Sequence, residues 1–259
     1  MKKVQVCVIR TAGTNCDKET AFAFSRAGAD VHLVHINQLV QLRRKLEEFQ
    51  ILALPGGFSY GDDIAAGKIE ANELRFKLSE QMRQFIAAGK LVIGICNGFQ
   101  ILVKSGLLPG NSLQEQDASL IINDSGSFQD EWVWLQTSAD KNKKSRCVWA
   151  QGLAQEIYLP IAHGEGKFVV KDPSVMQRIK RNGQIVFRYK DNPNGSTDGI
   201  AGICDESGRI LGLMPHPERH MAVTQHPGWT GGTAGVPGAI GDRQHIFNNG
   251  VTYAQKHLV

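Results

Sequence analysis

The chain lacks the cysteine and histidine patterns that mark disulfide frameworks and zinc sites. Its 259 residues include only five cysteines, an odd number with no C-x-x-C spacing. Scattered thiols in a chain of this length indicate a reducing compartment. None of the eight histidines belongs to an H-E-x-x-H motif. His216 and His220 are four residues apart, but prolines flank His216, so we expect no helical metal pair and no metal site.

Phosphate-binding signatures are also missing. The chain has no GxxxxGK followed by Ser or Thr, and no GxGxxG after a predicted strand, which argues against an ATP or dinucleotide site. The net charge is only +4, which is too small to indicate nucleic-acid binding. The one dense basic run, residues 141–146, is more typical of a solvated loop. We therefore expect no nucleic-acid partner.

No hydrophobic run is long enough to suggest a membrane. The apolar run at residues 4–9 is interrupted by Gln5 and ended by Arg10, so it is too short for a signal peptide. No stretch approaches the length of a transmembrane helix. We expect a cytoplasmic protein with no membrane contact.

Apolar and amphipathic segments alternate along the chain. We predict strands at residues 4–9, 31–34, 51–54, 91–95 and 210–214, helices at 17–27, 37–48 and 72–88, and antiparallel strands at 132–135, 157–161 and 184–189. The β-α-β-α order predicts an α/β fold with a doubly wound, mostly parallel open sheet of the flavodoxin type, to which the C-terminal half adds antiparallel strands. Since no linker, repeat or low-complexity block interrupts it, we expect residues 1–259 to form one domain.

The most informative motif is G-I-C-N-G at residues 94–98. It follows an apolar strand and precedes a helical segment, which is the context of a nucleophile elbow with Cys in place of Ser. The glycines permit a sharp turn. We expect Cys96 to stand exposed at its tip, above a helix N-terminus that favours the thiolate. The alternative is a buried core cysteine beside two loop glycines.

A candidate base lies in M-P-H-P-E-R at residues 214–219. Pro217 favours extended geometry at His216, and residues two apart in an extended chain face the same side. We therefore expect His216 to reach Cys96 as its base and Glu218 to orient the imidazole ring. The alternative is a solvated turn.

Two glycine-rich turns complete the candidate site. Gly56 and Gly57 follow a predicted strand, and their N–H groups, with that of Asn97, are candidates for an oxyanion hole. The alternative is an ordinary strand-to-loop turn. His163 opens H-G-E-G-K-F at residues 163–168, which suits a substrate-lining loop as well as a hairpin turn. Pro55, Cys96 and His216 all follow predicted strand ends, where ligands of such sheets gather.

Together these motifs resemble the class I (triad) glutamine amidotransferases. Within that family they are similar to the glutaminase subunits of phosphoribosylformylglycinamidine synthases, which act in purine biosynthesis. The motifs that carry the resemblance are R-T-A-G-T-N-C-D (10–17), P-G-G-F-S-Y-G-D (55–62), G-I-C-N-G-F-Q-I-L (94–102), H-G-E-G-K-F (163–168) and M-P-H-P-E-R (214–219). Residues 63–70 and 223–242 depart from the family pattern, and we expect a mobile loop at 228–241.

The resemblance implies a glutaminase with a Cys96–His216–Glu218 triad. It further implies that Gly56, Gly57, Asn97, Gln100 and His163 bind the oxyanion or the substrate glutamine. The chain would then need no cofactor of its own. Its partners would be a synthetase subunit that uses ATP and Mg²⁺ to convert formylglycinamide ribonucleotide to its amidine, and a small accessory subunit. The alternatives are an amidotransferase serving another synthetase, a cysteine hydrolase on the same fold, or a non-catalytic regulatory subunit.

Overall fold

The computed structural model describes residues 2–110, 113, 115–138, 145–231 and 241–259. Most of the basic run at 141–146 and of the predicted mobile loop at 228–241 lies outside the described residues. Within them, no helix combines the length and the apolar character needed to cross a membrane.

Most of the strands belong to one mixed sheet. The strands are β1 (Gln5–Arg10), β2 (Asp30–His35), β3 (Ile51–Leu54), β4 (Leu91–Ile95), β5 (Ala118–Ile121), β6 (Gln129–Thr137), β7 (Glu156–His163), β8 (Lys167–Val170), β9 (Ile185–Tyr189), β10 (Ile200–Cys204) and β11 (Ile210–Leu213). Within the described residues, nine of them form a sheet in the order β2-β1-β3-β4-β11-β10-β9-β6-β7, while β5 pairs with β8.

The sheet has a parallel half and an antiparallel half. Strands β2, β1, β3, β4 and β11 pair in parallel, whereas β11, β10, β9, β6 and β7 pair antiparallel. All residues of β3, β4 and β11 are buried, as expected for parallel strands covered on both faces. The predicted α/β class, with a parallel sheet and added antiparallel strands, is confirmed.

The helices depart from the sequence predictions at several places: two predicted helices are interrupted, and the helices at residues 173–181 and 241–257 were not predicted. They are α1 (Asp17–Arg26), α2 (Ile36–Val40), α3 (Lys68–Phe76), α4 (Ser79–Ala87), α5 (Asn97–Lys104), α6 (Pro173–Arg181) and α7 (Gly241–His257). The helix predicted at 37–48 ends at Val40, because Leu42 takes a left-handed conformation with φ of 56°. The helix predicted at 72–88 breaks between α3 and α4, where the Leu78 N–H bonds to the carbonyl of Glu73 and the Leu78 side chain enters the core.

The order of the parallel strands determines where the candidate site lies. Strands β1, β3, β4 and β11 are consecutive neighbours in the sheet and run parallel to one another, so all four end at the same edge. The chain leaves them at Thr11, Pro55, Cys96 and Met214 respectively. The segments that carry the glycine turn, the cysteine and the histidine therefore meet at one edge, as expected for ligand sites in such sheets.

Glu70 is a buried carboxyl group beneath this edge. It lies on α3, is 2% exposed, and accepts a hydrogen bond from Thr11 Oγ1 at 3.3 Å. Burial is the main cause that raises the pKa of Glu70 to about 8, because a low-dielectric environment disfavours the charged carboxylate. The group is therefore protonated in the folded protein at neutral pH.

We predict that Glu70→Gln removes part of the pH dependence of stability. Between the ordinary pKa of 4.5 and about 8, the folded wild type holds a proton that the unfolded chain has lost. Its free energy of unfolding therefore falls as pH rises through this window, by about 1.4 kcal/mol per pH unit from this group. The glutamine of the variant does not titrate, so its free energy of unfolding does not fall with pH for this reason. Urea unfolding of both proteins from pH 5 to 8 should give diverging curves, and parallel curves would contradict the assignment.

Candidate active site

Cys96 occupies a sharp turn between β4 and α5. Its φ is 52° and its ψ is −106°, a conformation that a residue with a side chain rarely adopts. A Cβ on Gly94 would lie 2.5 Å from the Gly98 carbonyl oxygen, and one on Gly98 only 1.9 Å from the Leu54 carbonyl oxygen. Both glycines are therefore required, as the G-x-C-x-G pattern predicts.

The expectation that Cys96 stands exposed is wrong. The residue is 5% exposed, and its thiol donates a hydrogen bond to the Ala162 carbonyl at 3.6 Å. Strand β7, from the antiparallel half of the sheet, thus passes over the turn and closes it from the side. The backbone N–H of Cys96 bonds to the Leu213 carbonyl at 2.8 Å, which ties the turn to β11.

His216 and Glu218 are paired as the sequence predicts, although through a different local geometry. The Nδ1 of His216 donates to Glu218 Oε1 at 2.6 Å, and both side chains are buried. Pro217–Arg219 form a 3-10 turn where we expected an extended chain. The His216 N–H bonds to the Pro160 carbonyl at 2.9 Å, so β7 also positions this segment.

The charge balance around His216 favours its protonated form. Burial lowers the pKa of His216, but the negative charge of Glu218 and the interactions of the ring with Cys96 and Cys16 outweigh burial. Its pKa therefore lies well above the usual range. An imidazole poised beside a thiol and oriented by a carboxylate is the arrangement that activates cysteine nucleophiles.

Gly56 lies directly against these side chains. A Cβ on Gly56 would lie 2.8 Å from His216 Cε1 and 3.4 Å from Cys96 Cβ, so any side chain there would displace the pair. The segment before α1 braces this turn. Cys16 N–H bonds to the Gly56 carbonyl, Phe58 N–H bonds to the Gly13 carbonyl, and Thr14 bridges Gly57.

Asn97 and Gln100 lie on the first turns of α5, both buried. The N–H of Asn97 belongs to the first turn, whose amides have no acceptor within the helix. Its side chain serves the structure, since Oδ1 accepts from the Ser59 N–H at 3.1 Å and Nδ2 donates to Gln100 Oε1 at 2.9 Å. Gln100 Nε2 in turn donates to the Glu165 carbonyl at 2.7 Å.

His163 is 3% exposed and lies close enough to His216 for the charge of His216 to affect the pKa of His163. Burial, and then the charge of His216, lower the pKa of His163 to about 4, so its ring is neutral at neutral pH. Nδ1 pairs with Asn123 Oδ1 at 3.1 Å. Nε2 is buried without a hydrogen-bond partner among the described residues, which leaves one polar atom for a ligand.

An ion pair between a buried lysine and a partly buried glutamate, which sequence reasoning missed, connects the walls of the site. Lys104, on the elbow helix α5, donates to the Ala66 carbonyl at 2.6 Å and to Glu165 Oε2 at 3.0 Å. The Glu165 carboxylate also accepts from the Ala66 N–H. The pair thus joins α5, the loop that follows Gly57, and the His163 turn. No pattern signals such a contact, because the three segments are distant in sequence.

Cys16 is the second residue that sequence reasoning left without a role. It lies between β1 and α1, is 1% exposed, and contacts the His216 ring. Its position after the end of β1 was the available signal, since that strand ends at the same edge as β3 and β4.

The sequence signature of the CobB/CobQ-like glutamine amidotransferase domain matches residues 3–254. The chain belongs to this family. The amidotransferase is 46% identical to phosphoribosylformylglycinamidine synthase subunit PurQ of Dehalococcoides mccartyi. The match covers 99% of this chain and 100% of that relative.

Solved structures give the same family and fold. A chain in the structure of PurLQS from Thermotoga maritima is 32% identical, with a TM-score of 0.74, and the match covers 97% of this chain and 99% of that one. A glutamine amidotransferase from Thermotoga maritima has a TM-score of 0.52 at 18% identity, covering 87% of this chain and 81% of that one. The second likeness concerns the fold alone.

We predict unequal losses of glutaminase activity at His216 and Glu218 of the amidotransferase. His216→Ala removes the candidate base, whereas Glu218→Gln keeps the ring but removes the charge that holds it. In a well-studied triad the corresponding losses in kcat are about 10⁶-fold and about 10⁴-fold. Glu218→Gln should also lower the pKa of His216, measurable by NMR titration of the ring. Glu19→Gln, at an acidic residue 3.9 Å from Arg219, is the matched control. Equal effects of the Glu19 and Glu218 variants would remove Glu218 from the triad.

Proposed function

We infer that this chain is the glutaminase subunit of a phosphoribosylformylglycinamidine synthase. The observation that carries this function is 46% identity to a PurQ subunit along the whole chain. The chain hydrolyses glutamine to glutamate and ammonia. The ammonia serves an ATP-dependent synthetase subunit that converts formylglycinamide ribonucleotide to its amidine. Its partners are the PurL synthetase and the PurS accessory subunit, as in the Thermotoga maritima PurLQS assembly.

In the proposed mechanism, Cys96 is the nucleophile. Its thiolate attacks the side-chain amide carbon of glutamine, and backbone N–H groups at Gly57 and Asn97 hold the oxyanion. His216 gives its proton to the departing ammonia and then takes one from the water that cleaves the thioester. Glu218 keeps the imidazole oriented throughout, which the 2.6 Å contact supports.

Gln100 and His163 are the proposed contacts to the substrate glutamine. Both are buried beside the elbow, and the unpaired Nε2 of His163 suits a polar group of the substrate. A neutral His163 does not repel the α-ammonium group of glutamine. Gly56 contributes because it has no side chain, which leaves room for His216 to lie beside Cys96.

The proposed function also bears on where ATP binds, how many domains the chain forms and where the protein is located. ATP and Mg²⁺ belong to the synthetase subunit, since this sequence contains no phosphate-binding loop. One continuous hydrophobic core supports a single amidotransferase domain over residues 1–259. The five cysteines are unpaired, which supports a reducing, cytoplasmic setting.

We predict that Cys96→Ala abolishes glutamine-dependent synthesis of the amidine by the reconstituted complex. Synthesis with ammonium should persist, because that reaction takes place on the synthetase. Loss of a triad nucleophile costs about 10⁶-fold in rate. Cys204→Ala, which removes a buried thiol outside the site, is the control. Equal loss with both nitrogen sources would make Cys96 structural, and full activity of the variant would favour a non-catalytic subunit.

We also predict that the isolated chain is a poor glutaminase and that a loaded synthetase activates it. An oxyanion hole works only when its donors are aligned. Gly57 has φ of 140°, and glycine tolerates alternative backbone orientations at low cost. A partner that binds one orientation better shifts the population toward it. The loop extends to the exposed side chains of Phe58 and Ile64, which a partner can reach.

Glutamate production is measured for the chain alone, with the synthetase and accessory subunits, and with these plus ATP and formylglycinamide ribonucleotide. Activity should rise at each addition. A free chain already at full activity would show that the hole is preformed.

A further inference from the structure

The elbow helix α5 has a buried polar face. Asn97, Gln100 and Lys104 are three and four residues apart, so they lie on the same side of the helix. They are 2%, 3% and 4% exposed. Buried polar groups are normally paired, and these three side chains bond to the two segments that border the candidate site, the loop at residues 58–67 and the turn at residues 163–166.

Glu165 is held at both of its ends by this helix. Gln100 Nε2 donates to the Glu165 carbonyl at 2.7 Å, and Lys104 Nζ donates to the Glu165 carboxylate at 3.0 Å. On the loop side, Asn97 Nδ2 donates to Asp62 Oδ1 at 3.2 Å. The helix that starts after the nucleophile therefore positions both borders of the site.

Lys104 is the residue that joins the two borders to each other. Its ammonium group also donates to the Ala66 carbonyl at 2.6 Å, while the Ala66 N–H donates to the Glu165 carboxylate. The side chains of Lys104 and Glu165 are 5% and 26% exposed. Taking an ammonium group out of water is costly unless it is paired, so loss of either partner should displace the loop from the turn.

The turn that Glu165 anchors carries His163, a proposed contact to the substrate glutamine. Asn123 Oδ1 accepts from the Gly166 N–H at 2.9 Å and pairs with His163 Nδ1 at 3.1 Å. A Cβ on Gly166 would lie 2.2 Å from the His163 ring, so the ring packs against the backbone next to Glu165. A shift of Glu165 should therefore move the ring and its unpaired Nε2.

Other contacts hold the reacting groups. The N–H groups of Cys96 and His216 bond to carbonyls of β11 and β7, and the segment before α1 braces Gly57. Within the part of the chain that the structure describes, neither Lys104 nor Glu165 bonds to a triad side chain. Loss of the ion pair should thus disturb the borders of the site and leave the nucleophile in place.

We propose that Lys104 and Glu165 are positioning residues for glutamine binding. The pair holds the loop and the turn against the elbow helix at the separation that fits the substrate. This role rests on the proposed function. An interaction that supports the ground state and the transition state equally raises KM when it is lost and leaves kcat unchanged.

The test uses the reconstituted complex with Lys104→Met, Glu165→Ala and the double variant, each checked for folding by thermal melting. Glu165 is partly exposed, so its variant tests the pair even if loss of the buried ammonium group prevents folding. The control is Lys167→Met, which makes the same change in the ion pair of Lys167 with Asp124 beside the same turn. Pairs with an exposed partner contribute little.

Three quantities are measured: kcat and KM for glutamine, the rate of Cys96 alkylation by iodoacetamide, and its rate with a diazoketone analogue of glutamine. Both single variants should raise KM at least about tenfold, since a displacement of about 1 Å costs up to about 10²-fold. Alkylation by the analogue should slow to the same extent, whereas kcat and the iodoacetamide rate should match the wild type. The double variant should lose no more than the worse single variant, because residues in contact are not additive.

Unchanged KM in the folded single variants, or an equal rise in Lys167→Met, would overturn the positioning role. A fall in kcat without a rise in KM would overturn it too, since a merely structural role reduces the active fraction. Additive losses in the double variant would show that Lys104 and Glu165 do not act as a pair. A wild-type complex that uses ammonium but neither hydrolyses glutamine nor reacts with the analogue would refute the proposed function, and this role with it.

Discussion

The left-handed turn at Cys96 is the constraint on which the rest of the site depends. A residue with a side chain in this conformation costs on the order of 1–3 kcal/mol, and the surrounding contacts offset that cost. The Cys96 N–H bonds to β11, while its carbonyl accepts from the N–H groups of Phe99 and Gln100 in α5. The turn directs the sulfur toward His216 and places the first amides of a helix beside it. Gly94 and Gly98 make the turn possible because the Leu54 and Gly98 carbonyls occupy the space of their missing side chains.

The antiparallel half of the sheet builds the other wall of the site. Strand β7 accepts a hydrogen bond from the Cys96 thiol at Ala162 and one from the His216 N–H at Pro160. It then leads into the turn that carries His163 and Glu165. Through Gln100 and Lys104 that turn is attached to the elbow helix. The extension therefore buries the cysteine and positions the histidine, and a parallel sheet alone would leave both exposed. Family membership and the identity to PurQ subunits agree with a site of this kind.

The strands were predictable to within one or two residues where the chain is locally apolar, as at 51–54 and 91–95. The elbow was predictable because its requirements are local: two glycines, a strand before and a helix after. The break in the helix predicted at 72–88 arises from a tertiary contact. The pattern at 72–88 fits one helix, but burial of Leu78 at 1% exposure requires a break that periodicity does not register. The pairing of His216 with Glu218 was expected on spacing, yet a 3-10 turn provides it.

The sequence by itself determined the order of strands and helices as far as the elbow, the sharp turn at Cys96, and the presence of a thiol, an imidazole and a carboxylate in motifs that follow strand ends. Each of these depends on residues within a few positions of one another. Only the tertiary structure decided that Cys96 is buried, that Lys104 pairs with Glu165, and that Cys16 lies against His216 and the Arg219 guanidinium, 203 residues away. These contacts depend on which strands are neighbours in the sheet. Strand order results from the packing of the whole chain, and no local pattern encodes it.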